Sequence, residues 1–230
     1  MKTPIDRVKG KVIDVKNGYV MIAVPYNDWL TLTRREYKEA WVELIDSRPL
    51  SDKQRRACYA LLRAIADYTG GGADSTKEYL KLKFLIEDLG ATGDRLFSLS
   101  DAPMSLVAAF QSFLVRFILE WDIPTSFPLY ELASDLSEYV YACLINKKCA
   151  VCGRRSDLHH IDAVGMGRDR HDIVHEGMEV IPLCREHHNE IHTLGDKQFL
   201  EKYHFDGGIK LDKTLCQIYK LKSEKIKKGR

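Results

Sequence analysis

The sequence predicts an α+β protein in two parts, a small mixed α+β domain over residues 1–148 and a zinc-stabilised domain over 149–230. Three observations carry that reading. An Asn17-Gly18 pair between β-branched runs marks a hairpin near the start, since Asn-Gly favours the tight turn that matches strand twist. Apolar residues at helical spacing fill most of the stretch from about 51 to 145. Beyond it, seven of the eight histidines lie between His159 and His192, beside Cys149, Cys152 and Cys184, three of the six cysteines.

With 45% apolar and 30% charged residues, the chain of 230 residues has the composition of a folded protein, long enough for a sizeable core. A net charge of +2 does not by itself mark a binder of polyanions. No apolar run reaches transmembrane length and the first residues lack a signal-peptide core, so a cytoplasmic protein without membrane contact is expected. In a reducing compartment, clustered Cys and His read as a metal site before they read as disulfides.

Taken in order, residues 9–25 read as the hairpin, 31–40 as a short helix and 41–45 as a strand. Ser51 with Gln54 three residues on forms a capping box. Cys58, Leu61, Leu62, Ile65 and Ala66 then recur on one helical face until Gly70-Gly71-Gly72 stops the helix. Further helices are expected over about 75–88, 105–121 and 129–145, the last two joined by a Pro-containing loop at 122–128. Cys58, Cys143 and Cys216 sit in apolar surroundings, as small core residues do. Residues 1–148 contain no histidine and pair no acids or nucleophiles at telling spacing, which favours a binding or assembly module for this half.

Cys149-x-x-Cys152 and Cys184-x-x-His187 can surround one zinc ion tetrahedrally. Their 31-residue separation disfavours a classical DNA-reading finger, and Gly153 suits the tight turn of a zinc knuckle. Cys184 and His187 are one turn apart on an expected helix. His188 and His192, four apart, share another face of it, rotated by roughly 100°. That helix can offer one pair to zinc and the other to a second centre. Between the pairs, residues 157–162 read as a strand carrying His159 and His160, whose side chains alternate across it unless a bend intervenes. Arg154 and Arg155 on the knuckle, and Arg168 and Arg170 in a Gly-rich charged loop, are candidate phosphate contacts. Short helices are expected over 198–205 and 212–222.

The constellation from 149 to about 195 resembles the HNH, or ββα-metal, nuclease motif: His159-His160 on a first strand, Glu179-Val-Ile-Pro-Leu-Cys184 in the middle and His187-His188 opening the helix. The resemblance implies a treble-clef-like domain and a metal-dependent DNA endonuclease. His160 would be the general base, His159 and His188 would hold a catalytic divalent ion with His192 as a further ligand, and zinc would be structural. Glu179 departs from the family's Asn; a carboxylate accepts backbone hydrogen bonds but donates none, so it could support the site or impair it. Mg²⁺ prefers oxygen ligands, whereas several imidazoles favour Mn²⁺ or another divalent transition metal.

A second resemblance lies upstream. The Ser47-Arg48-x-Leu50-Ser51-x-x-Gln54-Arg55-Arg56 run, with Tyr59, Leu61, Leu62, Ile65 and Ala66, resembles the long helix of phage lambda Orf-type recombination mediators, as does the stretch from Phe110 to Ile123. Those proteins usually carry Gln-Asn where Gln54-Arg55 stands here. The resemblance implies single-stranded DNA, single-strand binding protein and a homodimer as partners, with Arg48, Lys53, Arg55 and Arg56 on phosphates; a solvated helix face is the competing reading. Two functions follow: an HNH endonuclease in phage DNA recombination or processing, acting on single-stranded, branched or duplex DNA, or a non-catalytic zinc-containing mediator that binds DNA and recruits single-strand binding protein.

Overall fold

A computed structural model describes residues 10–25, 48–90, 96–161 and 174–223, together with residues 30, 34, 42 and 46. The chain divides into two compact units, 1–45 and 46–230. In the first, β1 (Lys11–Lys16) and β2 (Tyr19–Ala23) form the expected antiparallel hairpin. Asn17 and Gly18 turn it with φ of 53° and 79°, the left-handed pair a two-residue loop requires. The helix and strand expected over 31–45 fall almost wholly outside the described residues.

The second unit opens with α1 (Asp52–Thr69). The Gln54 amide donates to Ser51 Oγ at 3.2 Å and the Ser51 amide to Gln54 Oε1 at 3.3 Å, completing the capping box. Gly70 ends the helix at φ 68°. Its buried face, Cys58, Leu61, Leu62 and Ile65 among others, packs on α3 (Met104–Glu120), whose apolar residues are buried nearly all round. The helix α2 (Ala73–Glu87) adds Phe84, which meets Phe97, Phe110 and Phe113 ring to ring at 5.4–6.0 Å.

The helix expected from residue 129 begins later, as α4 (Leu136–Asn146). Residues Leu129–Leu132 form a 3₁₀ turn instead. Gln111 Nε2 draws off the Leu132 carbonyl at 2.5 Å, and Asp135 then starts α4 by accepting the Glu138 amide at 2.9 Å. Three strands follow in the order β3 (Asp157–His160), β4 (Glu179–Leu183) and β5 (Ile209–Lys210), all antiparallel; β5 was not expected. The helices α5 (Arg185–Leu194), α6 (Asp196–Lys202) and α7 (Lys213–Ile218) complete the unit, the last two starting or stopping a few residues from their expected bounds.

The division expected at 148/149 falls inside this unit. Tyr139 Oη donates to the Ala150 carbonyl at 2.9 Å, Tyr141 Oη to Asp212, and Tyr219 Oη to the Leu144 carbonyl. One apolar core runs from Leu61 and Phe110 through Leu144 and Cys149 to Ile181 and Leu215. The upstream helices thus pack directly on the metal-ligand region. Among the described residues no helix is long and apolar enough to cross a membrane.

Candidate metal centres

The knuckle is a backbone construction. The Cys149 amide donates to the Arg154 carbonyl at 2.7 Å and the Gly153 amide to the Cys149 carbonyl at 2.9 Å, with Gly153 at φ 70°. The Ala150 amide bonds the Pro182 carbonyl at 2.9 Å, tying the knuckle to β4. Just past that same end of β4, Cys184 is the N-cap of α5, so its thiol and the His187 ring meet the knuckle from the helix start. The four side chains offer ligand atoms all within 4.8 Å of one another. Cys152 and Cys184 Sγ are 3.6 Å apart, and His187 Nδ1 stands 3.1 Å from Cys184 and 3.5 Å from Cys149. A tetrahedron with Zn–S of about 2.3 Å and Zn–N of about 2.0 Å has S···S edges of about 3.8 Å and S···N edges of about 3.5 Å. The donor set and spacing fit zinc.

Burial raises the Cys149 thiol to about 12. Burial also opposes ionisation of Cys152, but hydrogen bonds led by that from Arg154 hold its thiol below the ordinary value. Arg154 Nε lies 3.3 Å from Cys152 Sγ and an Nη 3.7 Å from Cys184 Sγ, and the same guanidinium pairs with Glu186. With zinc bound, three thiolates and one imidazole would leave one net negative charge, and Arg154 stands where it would offset that charge. Expected as a DNA contact, this side chain is already engaged at the knuckle; Arg155 beside it is exposed.

A second cluster lies on the strand–helix junction. His159, on β3, is buried; His188 and His192, on α5, face it. Their ring centroids are 4.8–5.0 Å apart pairwise. Three imidazoles on one ion at about 2.1 Å put centroids about 5 Å apart, so this trio too fits a divalent metal. Burial, then the neighbouring His159 and His192, lowers the His188 pKa and favours the neutral, ligating ring.

His160 does not join this trio; its Nε2 lies 3.1 Å from Nδ1 of His175. Glu179 belongs to neither ligand cluster; its Oε1 accepts the Gly208 amide at 2.6 Å, and β4 pairs with β5 there. Of the upstream candidates, Arg48 is held by Asp46 at 2.8 Å and half-buried Arg55 is 3.6 Å from Asp52, while Lys53 and Arg56 are exposed. Arg168 and Arg170 lie outside the described residues. One polar neighbour was not anticipated: Asp196 Oδ1 lies 3.1 Å from His159 Nε2. The four-residue spacing from His188 through His192 to Asp196 was the available signal. His175 meets His160.

The antiparallel strands β3 and β4 thus lead into α5, with one set of residues that could hold a metal at the knuckle and another across strand and helix. The chain belongs to the family described as "Putative HNHc nuclease", whose model matches residues 28–222. That match spans the upstream helices as well as the clusters. Over 49 residues the chain is 47% identical to "Uncharacterized protein YdfU" of Escherichia coli (strain K12); the match takes in 20% of this chain and 13% of that protein. No solved structure matches.

Proposed function

We propose that the protein is a metal-dependent HNH endonuclease that hydrolyses DNA phosphodiesters. The observation that carries this is the trio His159, His188 and His192, gathered beside a separate Cys149–Cys152–Cys184–His187 set. A purely structural knuckle needs four ligands and has no use for three more imidazoles on the adjoining helix and strand. In this reading zinc fixes the knuckle and the start of α5, and the trio holds a Mn²⁺, Mg²⁺ or other divalent ion. That ion, when bound, supplies Lewis acidity at the scissile phosphate and its leaving 3′ oxygen.

His160 takes the proton from the attacking water, and the contact of its Nε2 with His175 fixes the direction of the ring. Arg155, exposed on the knuckle, supplies a backbone phosphate contact, with Arg168 and Arg170 in the same role. Glu179 acts through the fold: its carboxylate accepts the Gly208 amide and so holds β5 against β4. The upstream helices, carrying Lys53 and Arg56, are read as the part that addresses single-stranded DNA or single-strand binding protein during recombination.

The test is nicking of supercoiled plasmid and of branched DNA with Mg²⁺ or Mn²⁺, comparing wild type, His160→Ala and His188→Ala. The proposal expects cleavage by wild type and its loss in both variants, with DNA binding retained. Binding without cleavage in all three proteins, under every ion, selects the non-catalytic mediator.

A further inference from the structure

We propose that Asp196 is the positioning carboxylate of the three-imidazole centre, holding His159 so that Nδ1 is the nitrogen presented to the ion. The inference rests on the reading of His159, His188 and His192 as a metal site. The His159 side chain is 6% exposed, and a buried ring nitrogen needs a partner. Asp196 Oδ1 lies 3.1 Å from Nε2, and its own side chain is 42% exposed, so its carboxylate keeps contact with water while fixing the ring. Accepting the Nε2–H selects one tautomer and leaves the lone pair on Nδ1. Carboxylates behind metal-ligating histidines act in this way, orienting the ring and raising its basicity.

Asp196 is an outer partner, not a fourth ligand. Among the described residues, the set whose ligand atoms all fall within 4.8 Å comprises His159, His188 and His192 without it. The backbone explains how it reaches the strand. Had α5 continued, Asp196 would follow His192 by four residues and His188 by eight, on their own face. Gly195, at φ 82° and ψ 151°, ends α5 by donating to the Ile191 carbonyl at 2.8 Å and starts α6 by accepting the Phe199 amide at 3.1 Å. Fully buried Phe199 anchors α6, and the first residue of that helix, Asp196, meets His159. The turn delivers a carboxylate to the strand ligand, while the other two ligands come from α5.

The experiment is a Co²⁺ titration of the full-length protein with its zinc in place, read by the visible absorption of the second centre. Wild type, Asp196→Ala, Asp196→Asn, Asp196→Glu and His188→Ala are compared. The inference expects binding about 10–100-fold weaker in Asp196→Ala, with an altered absorption envelope, partial recovery in Asp196→Glu and one zinc per chain throughout. Equal Co²⁺ affinity in wild type and Asp196→Ala would overturn the role of Asp196 while leaving the centre intact. So would a weakening that merely follows a fall in melting temperature of the zinc-only protein, without recovery in Asp196→Glu. A wild-type protein that binds no Co²⁺ beyond its zinc would remove the centre itself, and the inference with it; His188→Ala shows what that absence looks like.

Discussion

On the proposed reading of the knuckle as a zinc site, removing that zinc is expected to cost the fold, not merely empty a site. Cys149 is fully buried in the same core as Leu144 and Ile181, and Cys184 caps α5. A structural zinc contributes about 10–16 kcal/mol of apparent binding free energy at neutral pH, whereas a domain's net stability is about 5–15 kcal/mol. The metal-free 46–230 unit should therefore sit near or below its folding midpoint at room temperature. Without the ion, the Cys149 thiol, raised to about 12 by burial, stays protonated, and the start of α5 loses its tie to the knuckle. His188 adjoins His187, and its amide donates to the Cys184 carbonyl at 2.8 Å, so the three-imidazole trio should lose its geometry in the same step. The assay is stepwise zinc withdrawal by a strong chelator. Zinc release is followed with a colorimetric dye, fold by near-ultraviolet circular dichroism, and second-site affinity by Co²⁺ uptake. One zinc leaving with simultaneous loss of the near-ultraviolet spectrum and of second-site Co²⁺ uptake is the expected result. A zinc-free protein that keeps its spectrum, melts within a few degrees of the holoprotein and binds Co²⁺ as before would show that zinc does not hold this fold together.

Other consequences are more local. His160→Ala should lower cleavage by about 10²–10⁴-fold, the usual contribution of a general base, while metal content measured by mass spectrometry stays unchanged. Arg154→Ala should speed zinc loss to a chelator, because one net negative charge at the thiolates is no longer offset, and should change DNA affinity less than Arg155→Ala does. Glu179→Ala strands the Gly208 amide and should cost about 1–3 kcal/mol in urea unfolding; Glu179→Gln, which keeps an acceptor oxygen, should recover most of that. Gly208→Ala should be more damaging than either, since a Cβ there would meet the Val180 carbonyl oxygen at 2.5 Å and Ile161 at 2.7 Å.

The parts legible in the sequence are those set by local chemistry. Asn17-Gly18 specifies its turn and Ser51 with Gln54 its cap, because both depend on residues a few positions apart. The two ligand clusters were also within reach, because Cys-x-x-Cys and Cys-x-x-His spacings constrain geometry before any fold is known, and a four-residue step keeps His188 and His192 together. What stayed hidden depends on partners distant in the chain. The late start of α4 follows from Gln111 capturing the Leu132 carbonyl from α3, which no window around 129 contains. The two-residue β5 exists through its pairing with Glu179 and Val180. Arg154 read as a phosphate contact because its exposed charge is visible in the sequence, whereas its thiolate partners, Cys152 apart, are not. The division at 148/149 followed a change in composition, but Tyr139, Tyr141 and Tyr219 bond across it.

The proposed function requires two ions in two different shells beside α5. Anomalous diffraction from a crystal soaked in Mn²⁺, recorded at the zinc and manganese edges, addresses it directly. A zinc peak is expected among Cys149, Cys152, Cys184 and His187, and a separate manganese peak among His159, His188 and His192. A single peak, or a second ion seated between His160 and His175 with the trio empty, would contradict it.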